Sequence, residues 1–199
     1  MTELFIPGPA GPLEATLTEA AKPTGSAAVL CHPHPRFGGT MHDAVLDTVA
    51  RALLQAGVTC LRFNFRGVGA SAGDHDGAAE ADDVVAAAQW LAESQQPQQV
   101  MLVGYSFGAV MAWQALPDLP EIARVLLIAP PVGTMPLPER TPTCAVDVFA
   151  GDADQFVDNQ ALDELAKATG LTVHTLVGAD HFFSGQWQAL EQQVAEALG

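Results

Sequence analysis

The strongest constraint on the fold is a rhythm. From Ala27 onward, short and nearly continuous apolar runs alternate with segments of helical periodicity. The runs are Ala27–Cys31 (AAVLC), Val58–Phe65 (VTCLRFNF), Gln99–Gly104, Arg124–Ala129, Ala145–Gly151 and Leu171–Val177. Helical patterns fall between and after them, over Met41–Ala56, Ala79–Glu93, Phe107–Leu116, Asn159–Ala168 and Gly185–Leu198. A strand that is apolar along its whole length must be covered on both faces, and a helix supplies the crossover that a parallel pair requires. Ahead of this pattern, two alternating segments, Glu3–Pro7 and Leu13–Glu19, flank the turn-rich GPAGP and predict an antiparallel hairpin. No internal repeat or linker interrupts the chain, and the longest irregular stretch is the Pro-rich PPVGTMPLPERTPT around Pro130–Pro142. The expectation is a single α/β domain over residues 1–199, with a mostly parallel sheet, an N-terminal hairpin and helices on both faces.

Composition narrows the partners. The 199 residues are 49% hydrophobic, enough for a packed core, and carry a formal net charge of −15 with only eight Lys and Arg. Such a chain repels phosphate backbones and anionic surfaces, so neither nucleic acid nor membrane is an expected partner. No apolar run approaches the roughly 18 residues needed to cross a bilayer. The N-terminus lacks a basic segment followed by an apolar core, so a cytoplasmic location is expected. Cys31, Cys60 and Cys144 are odd in number and lie in apolar runs, which predicts reduced core thiols.

In a parallel α/β sheet, ligands bind where strands end at their carboxyl side. One such end reads Gly104-Tyr105-Ser106-Phe107-Gly108, a G-x-S-x-G between an apolar strand and a helix. A serine at so sharp a turn presents its hydroxyl, and the glycines remove side chains that would strike the neighbouring strand and helix. The plainer alternative is a Gly-rich turn with Ser106 as a helix cap. Serine is a weak nucleophile and needs a base that is itself oriented by a third group. Later strand ends offer both: GDADQFVD carries Asp152, Asp154 and Asp158, and GADHFF carries His181. The order Ser, Asp, His is that expected of such a fold. His174 lies within a strand and is expected to be structural, whereas His75, in the polar GDHDG, is expected to be solvated.

The GYSFG, GDADQFV and GADHFF segments together resemble the three catalytic stations of the α/β-hydrolase superfamily, and the resemblance runs from about Ala27 to the C-terminus. Within it, the chain is similar to small, lidless bacterial serine hydrolases with HPHPxxGG and NFRGVGxSxG loops (here His32–Gly39 and Asn64–Gly73), a dienelactone-hydrolase-like group. The resemblance implies Ser106, Asp154 and His181 as the triad. Asp154 is taken from the G-x-x-D pattern, Asp152 is the runner-up, and Asp180 is a loop residue. It also implies an oxyanion hole made from the backbone N–H of Phe107 and one from the histidine-proline loop. Pro33 and Pro35 have no N–H to give, which leaves His34, with Arg36 next in line. Gly38 and Gly39 are expected to let this loop pass close to the site.

His32 and His34 also suggest a metal site, with His42 nearby. Alternate residues of an extended segment point apart, however, and no H-E-x-x-H pattern accompanies them, so neither a metal nor a cofactor is expected. Arg36 is a candidate for an anionic substrate group, and Arg66 is expected to brace its own loop against Asp82 or Asp83. Phe37, Tyr105, Phe107, Met135, Phe182 and Phe183 are candidate substrate walls. With only the Pro-rich segment where many such folds insert a cap, no cap domain is expected. The expected partner is a small ester or thioester, cleaved through an acyl-enzyme. A small-peptide peptidase with the same triad, a metal-dependent hydrolase and a catalytically idle binding module are the alternatives.

Overall fold

The structure, a computed structural model, describes residues 1–119 and 121–199. Eight strands form one sheet in the order β1-β2-β4-β3-β5-β6-β7-β8. They are β1 (Thr2–Ile6), β2 (Leu13–Thr18), β3 (Ser26–Cys31), β4 (Thr59–Phe63), β5 (Gln99–Tyr105), β6 (Arg124–Ile128), β7 (Ala145–Gly151) and β8 (Thr172–Leu176). The hairpin β1–β2 joins β4 antiparallel, and every other pairing is parallel. The helices are α1 (Ala44–Gln55), α2 (Glu80–Gln95), α3 (Phe107–Ala115), α4 (Asn159–Thr169) and α5 (Trp187–Leu198). Helix α1 packs against α5 and α2 against α3, and together they cover the two faces of the sheet.

The central strands justify their apolar runs. Every residue of β3 after Ser26 is buried, as is every residue of β5 after Gln99. Helix α3 is apolar almost all round, and only Gln114 reaches toward solvent. A helix without a polar face belongs in the interior. Here it lies beneath the strand ends, between α2 and the sheet.

Several boundaries differ from the sequence expectation for local reasons. Helix α1 begins at Ala44 rather than Met41 because the Asp43 carboxylate accepts the Val45 and Leu46 N–H groups at 2.8 and 3.3 Å, capping the first turn. Helix α5 begins at Trp187 rather than Gly185, where φ is +71°. Strand β4 stops at Phe63, since the Asn64 N–H turns to the Glu14 carbonyl at 2.8 Å.

No described helix is long and apolar enough to cross a membrane. Between β6 and β7, residues 129–144 form an irregular strap with no helix, so no cap domain covers the carboxyl ends of the strands.

Candidate active site

Strand β5 ends in an elbow. Ser106 sits at φ 53°, ψ −117°, a backbone conformation rare for a residue with a side chain, and its N–H donates to Ile128 O at 2.9 Å on the neighbouring strand. The flanking glycines are required by space. A Cβ on Gly104 would collide with the backbone of Gly108 and Ala109, and one on Gly108 with the Cys31 and His32 carbonyls. The strain at Ser106 is therefore held by close approach on both sides.

The histidine loop after β8 is tied to the same elbow. The Tyr105 hydroxyl donates to His181 O at 3.0 Å. Asp180 organises the turn by accepting the Phe182 and Ser184 N–H groups at 3.1 and 2.9 Å, and these bonds, led by that from Ser184, hold its carboxyl below the usual range. His181 then stands between Ser106 and the loop after β7. Its Nε2 lies 2.9 Å from Ser106 Oγ, and its Nδ1 lies 2.7 Å from Asp154 Oδ2. The fully buried Asp154 carboxylate also accepts the Phe156 N–H at 2.8 Å through Oδ1. A carboxylate at Nδ1 fixes the imidazole proton there, so Nε2 is the acceptor for the serine hydroxyl.

The three carboxylates that the sequence left open are thereby sorted. Asp152 bonds the Gly178 N–H, and Asp158 caps α4 through the Ala161 N–H at 3.0 Å. Asp154 alone among them reaches the imidazole.

The histidine-proline loop folds over the elbow from the end of β3. His32 is buried with both ring nitrogens engaged. Nδ1–H donates to Pro33 O at 2.7 Å, and Nε2 accepts the Phe65 N–H at 3.0 Å. Burial lowers its pKa to about 4, keeping it neutral, and neither nitrogen remains available to a metal. His34 opens a short 3-10 turn at Pro35–Phe37, with Nδ1 accepting the Arg36 N–H at 3.2 Å. The N–H of Arg36, next in line as oxyanion donor, is thus engaged by the His34 ring. Gly39 folds back to donate to His34 O at 3.2 Å, at a point where any Cβ would strike the Pro33 carbonyl. Among the described residues, the backbone N–H groups of His34 and Phe107 donate to no protein acceptor.

Other expectations divide. Arg66 is paired as expected, its guanidinium meeting Asp83 at 2.7 to 3.1 Å while its own N–H donates to the same carboxylate at 3.0 Å. Arg36 is exposed and forms no ion pair among the described residues. Phe37 and Phe182 are exposed, at 89% and 56%, and belong to the rim.

Three candidate walls are corrected: Tyr105, Phe107 and Phe183 are at most 1% exposed and pack in the core, because the elbow and the histidine turn carry these rings inward. Met135 is half-buried on the strap. Cys144 is only half-buried, unlike the core thiols Cys31 and Cys60.

His75 is also corrected. Its side chain is 11% exposed and its Nδ1 bonds the buried Glu80 carboxylate, because the GDHDG turn folds back onto the start of α2. Phe156, whose ring centroid lies 4.9 Å from that of His181, was missed altogether. Its neighbour Asp154 was the only available signal.

A parallel sheet whose fifth strand ends in such an elbow, with acid and histidine loops after the last two strands, has the architecture of an α/β hydrolase. Comparison with known proteins agrees. Residues 28–196 match the model of the alpha/beta hydrolase family, and the chain belongs to that family. It is similar to a lidless α/β serine hydrolase from Xanthomonas campestris, at 33% identity and a TM-score of 0.94, covering 99% of this chain and 93% of that one. An α/β serine hydrolase homologue from Coxiella burnetii matches at 31% identity and a TM-score of 0.92, covering 100% and 97% of the two chains. An uncharacterized protein of Rickettsia prowazekii is 32% identical over 211 aligned positions, covering 100% of this chain and 89% of its own.

Proposed function

We propose that the protein is a serine hydrolase that cleaves a carboxylic ester or thioester with a small, short-to-medium acyl group through an acyl-enzyme. One observation carries this reading: the unbroken chain Asp154 Oδ2–His181 Nδ1, 2.7 Å, and His181 Nε2–Ser106 Oγ, 2.9 Å, ending at a strained elbow. In this reading His181 takes the Ser106 proton as the hydroxyl attacks the carbonyl carbon. Asp154 holds the tautomer and stabilises the imidazolium. The backbone N–H groups of Phe107 and His34 receive the developing oxyanion. His181 then protonates the departing alcohol or thiol, and water, activated by the same imidazole, releases the acid.

The open strand ends and the rim of Phe37, Phe156 and Phe182 favour small substrates selected by shallow apolar contact. Cytoplasmic residence is part of the same reading, since all three cysteines are free. The test is turnover of acetyl, butyryl and octanoyl aryl esters by the wild type and by Ser106→Ala. Efficient cleavage of the shorter esters, lost in the variant, is expected. Activity that survives in the variant would refute the mechanism, and activity confined to the octanoyl ester would refute the acyl preference.

A further inference from the structure

A second histidine–carboxylate pair lies on the other side of the elbow, and the mechanism above does not use it. Glu80, the first residue of α2, is fully buried. Its carboxylate accepts the Asp76 N–H at 3.1 Å, the Gly77 N–H at 2.9 Å and the Nδ1–H of His75. Burying a carboxylate is costly unless hydrogen bonds compensate it, and here these three donors do so. What this carboxylate achieves is placement: it closes the turn after Gly73 and fixes the His75 ring.

That ring meets the proposed oxyanion hole. The His75 ring stands edge-on to His34, with centroids 5.0 Å apart, and edge-on to Phe107 at 5.7 Å, while His34 and Phe107 lie 4.8 Å apart. Among the described residues, the backbone N–H groups of His34 and Phe107 both donate to no protein acceptor. Burial holds the His34 imidazole below its usual pKa, and its Nδ1 accepts the Arg36 N–H, so the ring is neutral with its proton on Nε2. His34 Nε2 and His75 Nε2 have no protein partner, and neither is enclosed. The three rings therefore touch through their faces and edges.

We propose that Glu80 and His75 are positioning residues of the oxyanion hole: Glu80 fixes the His75 ring, and that ring holds His34 and Phe107, and with them their N–H groups, at a set separation. The proposal rests on the serine-hydrolase reading above. Preorganised donors lose much of their effect when displaced, and a misplacement of about 1 Å can cost about 10²-fold.

The test compares kcat, KM and thermal stability on an aryl acetate for the wild type, His75→Ala, His75→Phe and Glu80→Gln. Inhibition by a trifluoromethyl ketone, whose tetrahedral adduct places an oxyanion in the hole, is measured alongside. We expect His75→Ala to lower kcat about 10- to 100-fold with KM nearly constant, and inhibitor affinity to fall by a similar factor. His75→Phe, which keeps an aromatic edge, recovers part of the loss, and folded Glu80→Gln shows a smaller loss of the same kind.

Unchanged kcat and inhibitor affinity in folded His75→Ala and Glu80→Gln would overturn the proposal. So would a rise in KM alone, or a lower melting temperature without a kinetic change. If instead the wild type fails to cleave the ester, or Ser106→Ala matches it, the serine-hydrolase reading itself fails.

Discussion

Two histidine–carboxylate pairs flank Ser106, and they differ in what the second ring nitrogen meets. In the His181–Asp154 pair, Nε2 faces the serine hydroxyl at 2.9 Å. In the His75–Glu80 pair, Nε2 meets no protein atom as a partner, and the ring instead presses on His34 and Phe107. In both, a buried carboxylate fixes the ring and the proton on Nδ1. Chemistry is therefore decided by where the free nitrogen points, not by the composition of the pair. The first pair is placed to carry a proton to and from the serine oxygen, whereas the role proposed for the second is to hold a neighbouring loop in place.

The largest expected effects break the first pair. Ser106→Ala and His181→Ala should each lower kcat on an aryl ester by about 10⁶-fold, because triad members act as a unit. Asp154→Asn should cost about 10⁴-fold by favouring the wrong tautomer. The matching change in the second pair, Glu80→Gln, should cost no more than about 10-fold, the level of a small displacement. Steady-state kinetics on these variants gives the contrast directly, and equal losses for Asp154→Asn and Glu80→Gln would erase it.

Stability separates the pairs from their supports. Asp83→Ala leaves the Arg66 guanidinium buried without its partner and should destabilise the fold by about 3–5 kcal/mol in urea unfolding.

A smaller effect attends His32, whose folded pKa of about 4 lies below the unfolded value of 6.5. Between these values the unfolded chain binds more protons. His32 therefore contributes stability that is complete above pH 6.5 and is lost as the pH falls toward 4. The loss is on the order of 3 kcal/mol. Urea midpoints measured across that window should fall with acidity, and should fall less steeply in His32→Gln.

The two sides of Ser106 were not equally legible in the sequence. Ser106 and His181 follow from strand ends, because a parallel sheet gathers those ends on one face whatever the loops do. Choosing Asp154 over Asp152 needed the family resemblance, since both sit on one short loop and only the folded turn shows which reaches the imidazole. The alternation of strands and helices was likewise legible, with boundaries displaced where a cap such as Asp43 or a positive-φ glycine such as Gly185 intervenes, whereas the order of the strands in the sheet was not read from the sequence.

The His75–Glu80 pair was not legible, because a polar GDHDG run looks like solvated loop. Its burial depends on a carboxylate at the first turn of α2 folding back over five residues. Tyr105, Phe107 and Phe183 misled for a related reason. Tyr105 and Phe107 flank Ser106 and Phe183 follows the His181 turn, and the sharp backbone turns at Ser106 and Phe183, where φ is 53° and 51°, carry these rings into the core.

The most direct test of an activated serine is labelling by a fluorophosphonate probe, with the adduct located by peptide mass spectrometry. The account predicts a single adduct on Ser106 that is lost in folded His181→Ala. Folded wild-type protein that takes up no label at Ser106, or labelling that is equally fast without the His181 imidazole, would contradict it.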